Sequence, residues 1–340
     1  MTVNQPSPGR ILEIASGYWA TGLLGVATEH ALFTLVHDGL DTADRLAAKT
    51  GMAVRGMQTL LDGLVGLGLL EIHRGTYRNS AEAELYLVAG KPTDISGFAQ
   101  LKLAEMDKLA GRLDVFRTGG PVADPMVEVA ENPHWEKVVT AIAGISVPAA
   151  ETAAQVLELA DREDLAILDV GGGSGVFASV WLGLSPTARV TQLDWAPINA
   201  IARKLLARHS VADRFTTLDG DFHTVELEAA AYDVVLYSHI AHQEGPEDNV
   251  AVFAKLRAAL KPGGSLVVCD YVVADDRSGP SFPLLFASEM LLKSTKGGTW
   301  RRADYAAWLA EAGFETVSFH PTASPATLVI GGNGPLHRVG

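Results

Sequence analysis

The stretch between residues 165 and 184 constrains this chain more than any other. An apolar run from Leu165 to Val170 ends in Gly171-Gly172-Gly173-Ser174-Gly175, and apolar residues at helical spacing resume through Leu184. A buried strand, a glycine turn and a helix, in that order, open a parallel βαβ unit. The glycines let backbone approach a ligand closely, and the start of the helix points its N–H groups at it. Two details narrow the ligand. The dinucleotide fingerprint Gly-x-Gly-x-x-Gly/Ala meets Val176 at its third position, and no Gly-Lys-Ser/Thr follows to cradle a phosphate.

The alternation continues to the end of the chain. Strands are expected at residues 189–194, 215–219, 232–238 and 265–270, with two more around 314–319 and 327–330. Helices are expected at 197–208, 247–260 and 302–312. Strands alternating with helices give a mostly parallel, doubly wound α/β sheet. The first part of the chain has another rhythm. A helix capped by Thr42, a second helix over about 53–67, and two short strands around Arg74-Gly75 sketch a winged helix. Further helical segments follow at about 96–117 and 133–159.

Composition sets limits on function. The 340 residues suggest two domains or one large one, and a 48% hydrophobic content excludes disorder as the dominant state. Lys plus Arg is 27 against 40 for Asp plus Glu, a formal charge of -13, so nucleic acid is an unfavoured partner. The single cysteine, Cys269, excludes an intramolecular disulfide and a cysteine-cluster zinc site. No secretory leader is visible at the start. The most apolar early run, 14–28, has 15 residues and three glycines, short of the roughly 20 that span a bilayer. A cytoplasmic protein with no membrane partner is expected.

Two acids sharpen the glycine turn. Asp194 ends the second strand about 20 residues on, where a carboxylate can accept both hydroxyls of a ribose. Gly220-Asp221-Phe222 follows the third strand, placed for an adenine amino group and ring face. Asp194 as a cap of the next helix and Asp221 as a turn residue are the plainer alternatives. Asp-Val-Gly-Gly-Gly-Ser-Gly, Leu-Asp194, Gly-Asp221-Phe and Leu260-Lys-Pro-Gly-Gly together resemble the class I S-adenosylmethionine-dependent methyltransferases. More narrowly, the chain resembles small-molecule O-methyltransferases of the caffeic acid type and their bacterial natural-product relatives. Ala312-Gly-Phe314 matches that family's late Ala-Gly-Phe, and the region from Gly17 to Leu87 looks like its winged-helix dimerisation domain.

The resemblance carries several expectations. It implies a Rossmann-like sheet of seven strands with the last antiparallel, a homodimer, and S-adenosylmethionine as cofactor with S-adenosylhomocysteine as product. It divides the chain into a dimerisation domain (1–95), linking helices beside the acceptor (96–160) and a cofactor-binding catalytic domain (161–340). Asp169, Gly171, Gly173, Asp194, Trp195, Asp221, Phe222 and Ser238 are the expected cofactor contacts. Phe98, Met106, Trp135, Phe282, Phe286, Met290 and Trp300 are candidate acceptor lining, with core packing the alternative.

Tyr237-Ser-His-Ile-Ala-His242-Gln-Glu leaves the fourth strand, and His242 falls on the family's catalytic histidine. A phenol with pKa near ~10 is a poor nucleophile at neutral pH, while an imidazole near ~6.5 can take its proton. Of the two acids that orient this histidine in the family, Asp270 retains the first and Trp300 replaces the second. Gln243 and Glu244 stand where the family has Asp/Asn and Trp, and Glu244 could compensate for the lost acid. His239, His242, Glu244 and Asp270 could instead hold a divalent metal, but none is expected. The same fold with N- or C-methylation, hydroxylation or pericyclic chemistry remains open. A DNA-binding regulator is disfavoured, because the would-be recognition helix over 53–67 carries Arg55 as its one base.

Overall fold

A computed structural model describes residues 8–110, 114–121, 126, 127, 129 and 132–333; the first seven residues, part of the stretch read for a leader, lie outside the described residues. Chain contacts divide the protein into two units, Met1–Gly111 and Arg112–Gly340. The segment expected to link two domains (96–160) is shared between them.

The first unit contains α1 (Gly9–Ala15), α2 (Gly17–Glu29), α3 (Leu32–His37), α4 (Ala43–Thr50), α5 (Val54–Gly66), β1 (Leu70–His73), β2 (Thr76–Asn79), α6 (Ala81–Tyr86) and α7 (Ser96–Ala110). Apolar residues on α5 recur every three or four positions. They bury Met57, Leu60, Leu61 and Leu64 against Leu32, Phe33, Leu46, Leu70 and Tyr77. β1 and β2 form an antiparallel hairpin whose turn, Arg74-Gly75, has positive φ at both residues, as a two-residue hairpin turn requires. Thr42 precedes α4 in extended conformation, but its side chain makes no cap; its carbonyl accepts from Leu46 N–H instead.

The second unit contains α8 (Val115–Thr118), α9 (His134–Ala141), α10 (Ala143–Val156), β3 (Ala166–Val170), α11 (Val176–Leu184), β4 (Arg189–Asp194), α12 (Ala196–Leu206), β5 (Phe215–Asp219), β6 (Tyr232–Ser238), α13 (Pro246–Ala259), β7 (Leu260–Asp270), α14 (Ser281–Lys293), α15 (Arg302–Glu311), β8 (Thr316–Pro321) and β9 (Thr327–Gly332). Its seven strands run in the order β5-β4-β3-β6-β7-β9-β8. The first five are parallel, and β9 is antiparallel to both neighbours.

Side-chain alternation divides this core into two layers. Ile167, Val234, Leu236, Val267 and Cys269 pack with α10, α11 and α12, whereas Leu168, Val235, Tyr237, Leu266 and Val268 pack with α13 and α15. Both faces are covered, so the central strands β3, β6 and the second half of β7 are rich in consecutive apolar residues. Two expectations need correction. β7 begins at Leu260, not 265, because Lys261-Pro262-Gly263-Gly264 bulges between the Tyr232–Leu260 and Val234–Ser265 pairs. The segment after β7, expected as a loop, contains the 13-residue helix α14. Among the described residues no helix is long and apolar enough to cross a membrane.

Candidate active site

Because β3 to β7 run parallel, their C-terminal ends share one edge of the sheet, where open α/β folds bind ligands. The glycine turn leaves β3 there, Asp194 ends β4, Asp221 follows β5, His239 and His242 follow β6, and Asp270 ends β7.

The glycine turn is tied down on both sides. Gly171 N–H donates to the Leu193 carbonyl (2.8 Å) and Gly173 N–H to Asp194 Oδ2 (2.9 Å). Buried Asn199 donates to the carbonyls of Asp194 and Leu218 and to Asp219 Oδ1, while Gln192 donates to the Gly173 carbonyl and to Asn199. This brace between turn, β4 and β5 is not among the residues expected from sequence. Its one signal is a polar residue, Gln192, inside an apolar strand. Gly171 has φ +62, and a Cβ at that position would collide with Ile240 Cδ1. Gly171→Ala should therefore destabilise the fold by roughly 1–3 kcal/mol and weaken cofactor binding. Thermal denaturation indistinguishable from wild type would show that the turn does not need glycine there.

Asp194 does not cap α12. Its two oxygens accept from Gly173 and Trp195 N–H (2.9 and 2.7 Å), with lone pairs left for a ligand. Burial pushes its pKa up to about 6 against the pull of those two bonds. Asp169 is 1% exposed, and neither of its oxygens has a partner. Burial first, and then the charge of Asp194, push it up to about 8. An orphaned buried carboxyl beside a side-chain-free turn fits a ligand that brings its own N–H or O–H donors. The Asp221 side chain turns back on His223 (2.8 Å), and Phe222 packs edge-on against Tyr237 at 5.7 Å. Ser238, expected to face a cofactor, lies in hydrogen-bond contact with Cys269.

His242 and Asp270 form a buried pair. The ring Nδ1 lies 2.7 Å from Asp270 Oδ1, and the backbone N–H of His242 donates to Oδ2 at 2.9 Å. Tyr271 N–H adds a third bond at 2.7 Å. Burial alone would raise the Asp270 pKa, but the facing imidazole and these donors hold it below the usual carboxylate value. Nδ1 is thereby engaged, which leaves Nε2 as the nitrogen able to serve an acceptor.

Aromatic rings enclose the pair. Tyr271 stacks on the His242 ring at 5.7 Å, and Phe286 meets it edge-on at 5.0 Å. Phe282 packs on Tyr271 at 5.0 Å. Tyr271 was not expected from sequence, since an aromatic residue just past a strand reads as core. His239 sits at φ +57 beside them, and burial lowers its pKa to about 4, so the ring is neutral. Polar atoms of His239, His242 and Asp270 lie within 4.8 Å of one another, but the Asp270 oxygens already accept three N–H bonds.

The expected acceptor lining is distributed unevenly. Phe286 and Met290 share one face of α14, and Phe286 reaches the His242 ring. Trp135 lies on α9, where its ring packs on His134 at 6.3 Å. On the same helix, Val139 reaches to where a side chain on Gly173 would stand. Phe98 and Met106 lie on α7 of the first unit. The Trp300 indole donates to the Ala241 carbonyl (3.1 Å) and packs on Trp308. It helps to wall a cavity of about 510 Å³ with Ala287, Leu291 and Thr299. Glu244 does not support His242; its carboxylate pairs with His223.

A doubly wound sheet with a glycine turn, acids at three strand ends and a buried His–Asp pair defines the architecture of a class I methyltransferase. Residues 136–315 match the O-methyltransferase domain family, and residues 12–89 match the O-methyltransferase dimerisation domain. The chain is 31% identical to the tetracenomycin polyketide synthesis 8-O-methyl transferase TcmO of Streptomyces glaucescens, over 95% of this chain and 96% of that one. It is 32% identical to the 3-hydroxy-5-methyl-1-naphthoate 3-O-methyltransferase of Streptomyces sahachiroi, over 98% and 95% respectively. Human N-acetylserotonin methyltransferase, solved in complex with S-adenosylmethionine, superposes with a TM-score of 0.83 at 22% identity, covering 98% of this chain and 100% of that one. The chain belongs to the O-methyltransferase family: it is an S-adenosylmethionine-dependent methyltransferase with the family's dimerisation domain at its N-terminal end.

Proposed function

We propose that the protein methylates a hydroxyl, phenolic in kind, on a small aromatic or polyketide-like natural product, with His242 as general base. The observation that carries this reading is the buried His242–Asp270 pair at the sheet edge that also holds the glycine turn. Gly171, Gly173, Asp169, Asp194, Trp195, Asp221, Phe222 and Ser238 would hold the cofactor, which when bound supplies an electrophilic methyl on a sulfonium. Asp270 fixes the His242 tautomer and offsets the positive charge that develops when the ring takes a proton. Tyr271, Phe282 and Phe286 keep water from that ring and offer flat faces to an aromatic acceptor. The acids at Asp169 and Asp194 suit a ligand carrying an ammonium group and a ribose diol. No metal is required by this chemistry. Incubation with methyl-labelled cofactor and hydroxylated naphthoates or related phenols tests the reading. Label on the product oxygen supports it; turnover without label would remove it.

A second reading keeps the base and changes the atom methylated. An L-tyrosine C(3)-methyltransferase of Streptomyces lavendulae is 28% identical to this chain, over 90% of this chain and 86% of that one. Deprotonating a phenol also makes its ortho carbon nucleophilic, so the same histidine could serve it. Locating the label on carbon or oxygen decides between the two.

We also infer a homodimer built through the first unit. Ile11, Leu12, Tyr18 and Trp19 on α1 and α2 are 58–70% exposed, large apolar side chains at the start of the family's dimerisation domain, which matches from residue 12. Leu32 and Phe33 are fully buried within the chain's own core, and Leu23 and Leu24 pack against it. Light scattering is expected to give about 72 kDa, twice the 36.0 kDa chain. A mass near 36.0 kDa at micromolar concentration would remove the dimer.

A further inference from the structure

Glu244 stands two residues past His242, and its carboxylate reaches away from the catalytic pair. His223 Nε2 lies 3.3 Å from Glu244 Oε1, while the His223 Nδ1 and backbone N–H both meet Asp221 Oδ1 at 2.8 Å. The His223 ring rests on Phe222, with centroids 4.2 Å apart. Lys255 Nζ donates to the carbonyls of Phe222 and His223 at 2.8 and 3.0 Å, which pins the same turn to α13. On the other side, Gln243 donates to the His239 carbonyl (3.0 Å), and Gly245 immediately precedes α13. One imidazole thus spans the turn after β5 and the turn after β6.

We propose that His223 is a positioning residue for the adenine end of the cofactor: bonded through one ring nitrogen to Asp221 and through the other to Glu244, it fastens the Asp221-Phe222 turn to the loop that carries His242. The proposal rests on the reading of Asp221 and Phe222 as adenine contacts. A neutral imidazole has one N–H and can donate to one carboxylate; bridging two requires both nitrogens protonated. The surroundings favour that state. The Glu244 bond, against burial and with help from Asp221, pushes the His223 pKa up to about 9. The bridge is therefore whole at neutral pH and is lost as pH rises through about 9. Other charges face it. Lys255 stands near Asp221 and Glu226, and Lys296, paired with Asp248, stands near Glu244 and Glu247. Burial lowers the Lys255 pKa, and Glu244→Gln leaves that lysine in place.

Calorimetric titration with S-adenosylhomocysteine from pH 7 to 10 tests the bridge. The product's own amino group titrates in the alkaline range, so the wild-type profile is read as its ratio to Glu244→Gln at each pH. At pH 7.5 Glu244→Gln and His223→Asn are expected to weaken binding roughly 3- to 10-fold, the range of a partly exposed ion pair that acts on a binding turn. That ratio should shrink toward one above pH 9. His223→Lys keeps the cation and should recover most of the affinity while moving its alkaline loss upward. Wild-type affinity and profile in Glu244→Gln would overturn the bridge alone. No binding to the wild type would overturn the adenine reading, and the bridge with it.

Discussion

Replacing His242 with alanine is expected to lower kcat by roughly 10²–10⁴-fold while cofactor affinity changes little. The ring is fixed by two bonds from one residue to Asp270, one through Nδ1 and one through its backbone N–H. Its orientation is thus set before any acceptor arrives, and removing it deletes proton removal without touching the glycine turn or Asp194. Asp270→Asn should cost less. It keeps the shape and can still accept a hydrogen bond, but it loses the charge that stabilises a protonated ring. A positioning role for Asp270 should show as a fall in kcat with cofactor affinity unchanged. Trp300 enters none of these steps, since its N–H is spent on the Ala241 carbonyl. Full turnover in His242→Ala, measured by methyl transfer from labelled cofactor, would mean that proximity alone drives transfer or that the acceptor arrives ionised. The general-base reading would then be dropped.

The parts legible in the sequence are those where one residue type had one structural solution. β4, β5 and β6 stand at 189–194, 215–219 and 232–238 as predicted; β6 reads as an apolar run because it is covered on both faces, while β4 and β5, toward the sheet edge, mix Thr with apolar residues and are marked by the acids that end them. Asp194 stood out because a carboxylate at the C-terminal end of a buried strand has little core role, whereas Asp270 came from the family resemblance. α14 was not legible. Ser-Phe-Pro-Leu-Leu-Phe-Ala-Ser-Glu-Met-Leu-Leu-Lys is apolar nearly all round, so no stripe marks a helix, and Pro283 reads as a break although the first turn tolerates it. Of the ring cage, Phe282 and Phe286 were candidate lining residues, but Tyr271, 15 residues before Phe286, was missed. Glu244 was misread for a different reason. Its proximity to His242 along the chain suggested support for the histidine, but its partner, His223, is 21 residues upstream on another strand's turn.

Asp194→Ala should weaken cofactor binding by roughly 2–4 kcal/mol, a loss of about 30- to 1000-fold. In the protein alone the carboxylate already accepts two backbone N–H bonds, from Gly173 and Trp195, yet its pKa lies near 6. Burial therefore outweighs those bonds, and the charged group carries an unmet demand for donors. A ribose diol would supply two, so binding should favour the ionised form and pull that pKa down. The sign of the pH effect follows. Above about 6 the carboxylate is ready, and below it binding must first remove a proton, so affinity should fall as pH drops from 7 to 5. Asp169, pushed up to about 8 in the same neighbourhood, should make the fall begin earlier if it too faces the ligand as an anion. Asp194→Ala also removes the acceptor that holds Gly173, so part of its loss is a looser turn. Asp194→Asn separates the two: it keeps an acceptor oxygen for Gly173 but loses the charge, and should abolish the acid limb while costing less affinity than alanine. Calorimetry with S-adenosylhomocysteine at pH 5, 6 and 7.5 reads both effects. Wild-type affinity in Asp194→Ala would remove this carboxylate from the cofactor site.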